Sequence, residues 1–252
     1  MECTGCHQDR NLEHARVPGA PKWHVAPRQM AWVGKTPREI ASLMDISDPL
    51  AALNAARFGA WSPRFSAANA RQSLLAFNGD VYDGLEARSL TREDLDWAQQ
   101  HLCILSGLYG VLRPLDWMQP YRLEMGTALQ VGDARNLYQF WGTDIADYLN
   151  RRLAADASPV VVNLASQEYF RSVDVGRLKA RVVECVFEDW KGGGWKLISF
   201  FAKKARGRMA RYAITQRIAT PRGLEGFDLD GYRFDAAASR PERLVFRRKM
   251  QA

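Results

Sequence analysis

The chain has 252 residues, of which 47% are hydrophobic and 25% charged, and its net charge is +7. A chain of this length and composition can bury a substantial core, as soluble globular proteins do. No run of about 18 apolar residues occurs, and the N-terminus lacks the apolar segment of a secretory signal. We therefore expect neither a membrane span nor a secretory signal.

The first residues contain CTGCH at positions 3–7, the C-x-x-C-H pattern by which c-type haem is attached. The same spacing suits a redox pair or half of a zinc site, and His7 and His14 could complete a Cys2His2 set by count. The segment around them has almost no core-forming residues to organise such a site. Cys103 and Cys185 lie isolated in apolar segments, as small core residues do. We interpret the motif as accidental and expect no metal and no cofactor, with an iron- or haem-handling module as a minor alternative.

Positive charge is concentrated between residues 191 and 224. This segment contains nine cations and no Asp or Glu, so the rest of a chain with a net charge of +7 carries −2. The nine are Lys191, Lys196, Lys203, Lys204, Arg206, Arg208, Arg211, Arg217 and Arg222. Such an asymmetric distribution indicates a polyanionic partner, with nucleic acid favoured over a membrane surface.

The first half of the chain is predicted to be mainly helical. Residues 1–34 read as irregular, because prolines and a glycine interrupt every hydrophobic period. Helix starts follow at four places, two of them marked by a threonine that begins a capping box. The starts are Thr36, Asp48, Ser66 and Thr91, with the third helix carrying Leu74, Leu75 and Phe77, and the fourth running through Leu105.

The second half contains the predicted strands. Residues 159–164 form a short apolar run that is typical of a buried strand. Residues 181–187 and 195–201 alternate in hydrophobicity on either side of a glycine-rich loop, which predicts a hairpin. Residues 232–234 and 244–246 are expected to add edge strands. The pattern predicts a single mixed α/β domain over 35–252, preceded by a separate irregular segment.

A helix is also predicted from Phe201. Apolar residues recur there at helical spacing, and Gly207 lies in the middle, where glycine costs about 1 kcal/mol relative to alanine. A glycine kept at such a position permits close approach of another backbone, a base or a phosphate. The apolar stripe is Phe201, Ala205, Met209 and Tyr212, and the expected phosphate contacts beside it are Lys203, Lys204, Arg206, Arg208 and Arg211. The alternative is an ordinary solvated helix face.

Residues 105–114 place two glycines, Gly107 and Gly110, after a well-capped helix and before Arg113. Their arrangement resembles a helix-hairpin-helix, whose turn directs backbone N–H groups at a DNA phosphate. The spacing is G-x-x-G rather than the usual G-x-G. A tight turn between helices with no ligand is an equally good interpretation.

A further cluster of polar residues follows the apolar strand, where α/β proteins often place their sites. We consider a ligand pocket formed by Asn163, Ser166, Glu168, Tyr169 and Arg122. Ser166 has no histidine near it in sequence that would activate it as a nucleophile. Glu168 could act as a base or a ligand, but a capping role suits it better. We therefore assign no catalytic residue.

Six long segments resemble the YaaA family, the bacterial peroxide stress proteins, in order and spacing from about Thr36 to the C-terminus. They are DISDPLAALNAARF (45–58), NARQSLLAFNGDVYDGL (69–85), LSGLYGVLRPLDWMQPYRLEMG (105–126), LYQFWG (137–142), VVNLASQEYF (161–170) and ISFFAKKARGRMARY (198–212). The resemblance implies a cytosolic protein that limits oxidative damage to DNA and proteins and is associated with low free iron. It also implies an α/β fold with a helix-hairpin-helix element that binds double-stranded or branched DNA.

Residues 1–34 depart from this resemblance. The family begins with an apolar strand that leads into Ser-Pro-Ala-Lys, and neither is present here. A mispredicted start, a rearranged gene or a divergent N-terminus would each explain the difference. We expect the sheet to lack the family's first strand, which would leave a strand edge unpaired.

Two functions follow as alternatives. The first is a DNA-binding stress protein that reads shape and charge more than sequence. The second is an enzyme acting on a small nucleotide- or phosphate-bearing substrate, in which the same cations would hold the anion. We favour the first and expect no membrane partner.

Overall fold

The computed structural model describes residues 34–249, which divide into two compact units built from separate stretches of chain. The first unit contains residues 34–78, 98–145 and 171–173. The second contains residues 79–97, 146–170 and 174–249. Helices and strands both occur in the described residues, which confirms the predicted mixed α/β fold class. None of the helices in residues 34–249 is long and apolar enough to cross a bilayer.

The first unit begins with two of the predicted helices, α1 (Pro37–Met44) and α2 (Asp48–Gly59). The capping box predicted at α1 is present. The Thr36 hydroxyl accepts a hydrogen bond from the Glu39 N–H at 3.3 Å, and the Glu39 carboxylate accepts one from the Thr36 N–H at 2.7 Å. Pro37 and Pro49 lie in the first turn of α1 and α2, where a backbone N–H has no hydrogen-bond partner within the helix, so its absence costs nothing.

The long helix predicted from Ser66 is wrong. Its residues form a turn, a two-residue strand β1 (Arg71–Gln72) and the single helical turn α3 (Ser73–Ala76). The Ser66 N–H donates to the Asn69 side chain at 2.8 Å, which closes a turn instead of a helix. Strand β1 then pairs antiparallel with β4 (Trp117–Met118). Backbone bonding to a distant segment therefore replaces the local bonding of a helix.

The helix predicted from Thr91 is confirmed as α5 (Arg92–His101), though it ends before Leu105. Its capping box is closed by Asp94. The Thr91 N–H donates to the Asp94 carboxylate at 3.0 Å, and the Asp94 N–H donates to the Thr91 hydroxyl at 3.2 Å.

The helix-hairpin-helix expected at residues 105–114 is wrong, because the two glycines join strands and not helices. Strand β2 (Ile104–Ser106) pairs antiparallel with β3 (Gly110–Leu112), with Ser106 opposite Gly110. Gly110 has a φ of +69°, which only glycine adopts readily. The first unit also contains α6 (Leu137–Trp141), and α7 (Asp144–Arg152) follows along the chain.

The second unit is built around a five-stranded mixed sheet. Its strands run in the order β5-β6-β9-β8, and β7 pairs with one end of β6. β5 and β9 lie parallel to β6, while β7 is antiparallel to β6 and β8 is antiparallel to β9. The strands are β5 (Val160–Asn163), β6 (Arg181–Lys191), β7 (Gly194–Lys196), β8 (Arg233–Phe234) and β9 (Arg243–Arg248).

Three strand predictions need correction. β5 was expected to be buried, but all four of its residues are partly exposed, because β5 ends the strand order among residues 34–249. The second hairpin strand stops at Lys196 and not at residue 201, since α9 (Ser199–Thr215) begins soon after it. β9 was expected at an edge but lies between β6 and β8.

One face of the sheet is covered by α9, which is the helix predicted from Phe201. Ala202, Ala205 and Met209 of this helix belong to the same buried cluster as the strand residues Val183 and Phe187. The predicted stripe is therefore confirmed at Ala205 and Met209. The remaining helices of this unit are α4 (Asp80–Leu85), α8 (Gln167–Phe170) and three short 3-10 turns at Ala87–Ser89, Pro221–Gly226 and Leu229–Gly231.

Candidate nucleic-acid interface

The glycine in the middle of α9 is explained by contact with α4. A Cβ atom built on Gly207 would lie 1.8 Å from the carbonyl oxygen of Val81 and 2.8 Å from the backbone nitrogen of Leu85. On the facing helix, a Cβ on Gly84 would lie 2.2 Å from the carbonyl oxygen of Lys204. The sequence left three partners open for Gly207, namely another backbone, a base or a phosphate. In the structure, the partner is the backbone of α4.

Two of the expected phosphate contacts hold α9 to the segment that follows α4. The guanidinium of Arg208 lies 2.8 Å from the Glu86 carboxylate and 3.4 Å from that of Asp230. Although burial opposes it, these two carboxylates raise the pKa of Arg208. Arg211 donates to the Glu86 carbonyl at 3.2 Å and to the Ser89 hydroxyl at 2.7 Å. These side chains therefore stabilise the packing of the two helices.

The other three expected contacts differ in how much charge they present. Lys203 is 49% exposed, and its ammonium lies 3.7 Å from the Asp80 carboxylate. Lys204 is partly exposed and has no ion pair with any residue in 34–249. Arg206 is partly buried, and this desolvation lowers the pKa of its guanidinium against the opposing effect of Glu184. Lys203 and Lys204 are thus the cations of α9 best placed to meet a polyanion.

The wider segment keeps an excess of positive charge. Lys203 and Arg208 have carboxylate partners, and so does Arg217, which lies 2.7 Å from Asp94. The other six of its nine cations have no carboxylate within ion-pair distance in the described part of the chain. The partners that do exist come from distant stretches of sequence. A search for acidic residues at helical spacing therefore could not find them.

The glycine turn at residues 107–110 lies inside the first unit. Both Gly107 and Gly110 are buried. The Trp141 indole N–H donates to the Gly107 carbonyl at 3.0 Å, and a Cβ on Gly110 would lie 2.7 Å from the Trp141 ring. Arg113 lies 3.4 Å from the Asp116 carboxylate. The backbone of this turn is covered by an aromatic ring, so we do not retain these three residues as phosphate contacts.

Four residues of the expected pocket are near one another in the chain: Asn163 ends β5, Ser166 lies in the turn that follows, and Glu168 and Tyr169 belong to α8. The Asn163 side chain accepts a hydrogen bond from the Ala165 N–H at 2.9 Å, and the Ser166 hydroxyl accepts one from the Tyr169 N–H at 3.3 Å. Both bonds are local and shape the turn into α8. Glu168 is exposed. This geometry is typical of a capped turn after a strand.

Tyr82 was not anticipated from the sequence as a neighbour of this turn. Burial raises its pKa, and the nearby Tyr169 raises it further. No local pattern marks Tyr82, because it comes from α4, far away along the chain. The fifth pocket residue, Arg122, belongs to the first unit, where its guanidinium lies 2.8 Å from the Glu124 carboxylate.

The CTGCH motif lies outside the described residues. Within residues 34–249, no group of three or more His, Cys, Asp or Glu side chains is arranged to hold a metal ion. Of the two cysteines described, Cys103 is partly exposed and Cys185 is buried, and both are free thiols.

These features define a mixed α/β protein with one cation-rich segment, part of which is used to fasten a helix pair. Sequence comparison then gives the family. The sequence model of the peroxide stress protein YaaA family matches residues 26–238. The match therefore begins within the segment 1–34, before the first motif that carries the resemblance. The chain belongs to this family, and its role accordingly lies in peroxide stress.

Close relatives share most of their length with this chain. A UPF0246 protein of Paracidovorax citrulli is 73% identical over 215 residues, which are 85% of this chain and 83% of the relative. A UPF0246 protein of a Polaromonas species is 65% identical over 218 residues, 86% of this chain and 84% of the relative. One from Bordetella pertussis is 63% identical over 215 residues, with shares of 85% and 84%.

Proposed function

We propose that the protein binds double-stranded or branched DNA during peroxide stress, with weak sequence preference. The observation that carries this proposal is the charge of residues 191–224, where six of nine cations have no carboxylate partner among the described residues. An uncompensated excess of this kind attracts phosphates and releases their counterions. On α9, the contacts would come from Lys204, which has no ion pair among the described residues, and from Lys203, which is 49% exposed and whose 3.7 Å pair with Asp80 is a surface pair that a phosphate can displace.

Recognition by shape and charge suits the position of α9. One side of this helix packs on the sheet, and Gly207 brings another side against α4. A recognition helix must enter the major groove with a free face that reaches base edges. A helix covered on two sides can instead approach the phosphate backbone, which positions a protein on DNA without reading the sequence.

The physiological consequence that we propose is protection of DNA and proteins from iron-dependent peroxide damage in the cytoplasm, with low free iron. The support for this part is the family membership and the resemblance of the motifs. Occupied DNA would be shielded where the protein lies against its backbone. We propose no resident metal for this role.

Binding can be tested by fluorescence anisotropy with labelled 20-base-pair duplex and four-way-junction DNA, at a fixed low salt concentration. We expect the Lys203→Ala/Lys204→Ala double variant to bind both probes at least tenfold more weakly than wild type, because it loses two phosphate contacts. Lys179→Ala/Arg240→Ala is the matched control, since it removes two exposed cations elsewhere in the second unit. Equal losses in the two double variants would contradict the assignment to α9.

Protection can be tested separately by the nicking of supercoiled plasmid in Fe(II) and hydrogen peroxide. We expect wild type to reduce nicking and the Lys203→Ala/Lys204→Ala variant to protect much less. Equal protection by both proteins would mean that the effect does not depend on DNA contact through α9. The proposed link between binding and protection would then be wrong.

A further inference from the structure

A second surface of the second unit combines exposed aromatic rings with cations. The large hydrophobic residues that are exposed within residues 34–249 number five, and three of them lie between positions 190 and 200. They are Trp190 at 40% exposure, Leu197 at 52% and Phe200 at 58%. Trp190 belongs to the β6–β7 hairpin, whereas Leu197 follows β7 and Phe200 lies in the first turn of α9.

The β6–β7 hairpin holds two tryptophans in a fixed arrangement. Gly192 and Gly193 both have positive φ, at 62° and 79°, as the central residues of a two-residue hairpin turn require. The register places Trp190 directly opposite Trp195. Their ring centroids are 5.1 Å apart with the planes at 75°. The turn therefore fixes a rigid aromatic pair at the end of the sheet.

Cations surround this pair. The ammonium of Lys249 lies 5.0 Å from the Trp190 ring centroid, and the guanidinium of Arg247 lies 4.9 Å from that of Trp195. Lys191 and Lys196 are exposed on the hairpin itself, at positions that alternate with the two tryptophans and so project from its other face.

The neighbouring carboxylates do not neutralise these lysines. Glu188 lies 2.8 Å from Arg247, and the fully buried Asp189 lies 2.7 Å from Arg248. Among the described residues, Lys191, Lys196 and Lys249 have no ion pair. The hairpin end therefore carries three lysines without an ion pair among the described residues, and Lys249 is the one that lies beside the Trp190 ring.

We infer that this surface, named here the Trp190–Trp195 platform, binds single-stranded nucleic acid. Unpaired bases would stack on Trp190, and Lys249 beside its ring, together with Lys191 and Lys196 at the hairpin, would meet the phosphates. Single strands expose the base faces that a duplex keeps stacked, and aromatic rings with interleaved cations are how proteins hold them. The inference rests on the proposed function only in taking nucleic acid as the partner, because α9 and the platform use different side chains.

The test measures binding of labelled oligo-dT of about 20 nucleotides by the full-length protein. We expect Trp190→Ala to weaken binding of this probe by roughly tenfold, as the loss of one base–aromatic stack does. Trp190→Phe keeps a stacking ring and should retain most of the affinity. Leu53→Ala removes an exposed apolar side chain from the first unit and serves as the control. Thermal unfolding of each variant identifies any that fail to fold; in that case Lys249→Ala, which removes the cation beside the Trp190 ring, should weaken oligo-dT binding, and unchanged binding would contradict the platform.

The platform is separated from α9 by comparing two probes. Trp190→Ala should leave duplex affinity within about twofold of wild type, while Lys203→Ala/Lys204→Ala weakens duplex binding. If wild type binds oligo-dT but not duplex, the proposed function fails and the platform stands. If a folded Trp190→Ala protein binds oligo-dT as wild type does, the platform is wrong. The proposal would also be overturned if the protein bound phosphatidylglycerol vesicles through Trp190 and did not bind oligo-dT. That result would assign the surface to membranes.

Discussion

Gly207→Ala is the substitution that most directly separates a packing role for the middle of α9 from a ligand-binding one. The added Cβ would lie 1.8 Å from the Val81 carbonyl oxygen, whereas ordinary carbon–oxygen contacts are about 3.4 Å. The two helices would have to part by roughly 1.5 Å at this point. The obstructing atom belongs to a backbone, so no side-chain rotation can relieve the overlap.

The magnitude follows from two opposing effects. Alanine is favoured over glycine inside a helix by about 1 kcal/mol. Overpacking costs about 1–3 kcal/mol, and the upper end applies where neither backbone can move aside. We expect a net loss of about 2 kcal/mol, which lowers the melting temperature by about 4–8 °C in a protein of this size.

The assay is thermal unfolding followed by circular dichroism. Gly59→Ala is the matched control, because it also lies in a helix but has nothing within 4 Å of the built Cβ. The control should melt at or slightly above the wild-type temperature. A Gly207→Ala protein that is as stable as wild type would refute the packing explanation. If it also bound duplex DNA more weakly, Gly207 would instead be making room for a phosphate.

Three further predictions concern side chains of the second unit. Asp189→Ala should destabilise the protein by about 3–5 kcal/mol in urea unfolding, because it leaves the Arg248 guanidinium without its buried partner. Burial opposes ionisation of Asp94, but hydrogen bonds from Thr91 and Arg217 outweigh it and lower the pKa of this carboxyl group. The ionised Asp94 therefore stabilises the protein above the unfolded pKa of about 4, and this stabilisation is lost as the pH falls through the folded pKa. Asp94→Asn should flatten this acid dependence in urea unfolding. Burial raises the pKa of Cys185 to about 12, so iodoacetamide should not modify this thiol at neutral pH until the protein unfolds, as peptide mapping would show.

Each of these predictions has a control and a result that would contradict it. Asp96 forms an exposed 4.0 Å pair with Arg92, so Asp96→Ala should change stability by under about 0.5 kcal/mol. An Asp189→Ala effect as small as this would contradict the buried pair. An Asp94→Asn profile that keeps the wild-type acid dependence would assign that dependence to another carboxylate. Labelling of native Cys185 as fast as the partly exposed Cys103 would contradict its burial.

Local signals in the sequence predicted the elements whose determinants are local. The capping boxes at Thr36 and Thr91 were identified correctly because each is closed by a residue three positions away. The hairpin around Gly192 and Gly193 was also predicted, since a glycine pair between alternating strands is a short-range signal. In such cases the residues that make the hydrogen bonds are neighbours in sequence.

The failures came where a distant segment decides the outcome. Residues near Ser73 have helical character, yet their backbone bonds to the segment around Asp116, with the Ser73 N–H donating to its carbonyl at 2.9 Å. The same holds for the candidate interface. Arg208 seemed free because no acidic residue lies near it in sequence, but Glu86 and Asp230 reach it from other elements. Such pairings between residues that are distant in the chain cannot be predicted from local patterns in a single sequence.

The position of the charged segment could be predicted, but not which of its cations stabilise the packing of helices and which are open to a ligand. Counting charges located the cations between residues 191 and 224 without any structure. Only the packing of α9 against α4 distinguishes Arg208 and Arg211, which fasten the two helices, from Lys203 and Lys204. Helical projection places all four on the same helix and cannot say which face is covered.

The central claim is that Lys203 and Lys204 meet DNA phosphates, and the salt dependence of duplex binding tests it most directly. For each phosphate contact, the logarithm of the binding constant falls by about 0.9 per unit of log salt concentration. The slope measured for Lys203→Ala/Lys204→Ala should therefore be shallower than that of wild type by about two units, and that of Lys179→Ala/Arg240→Ala should be unchanged. An unchanged slope in the first double variant would contradict the claim.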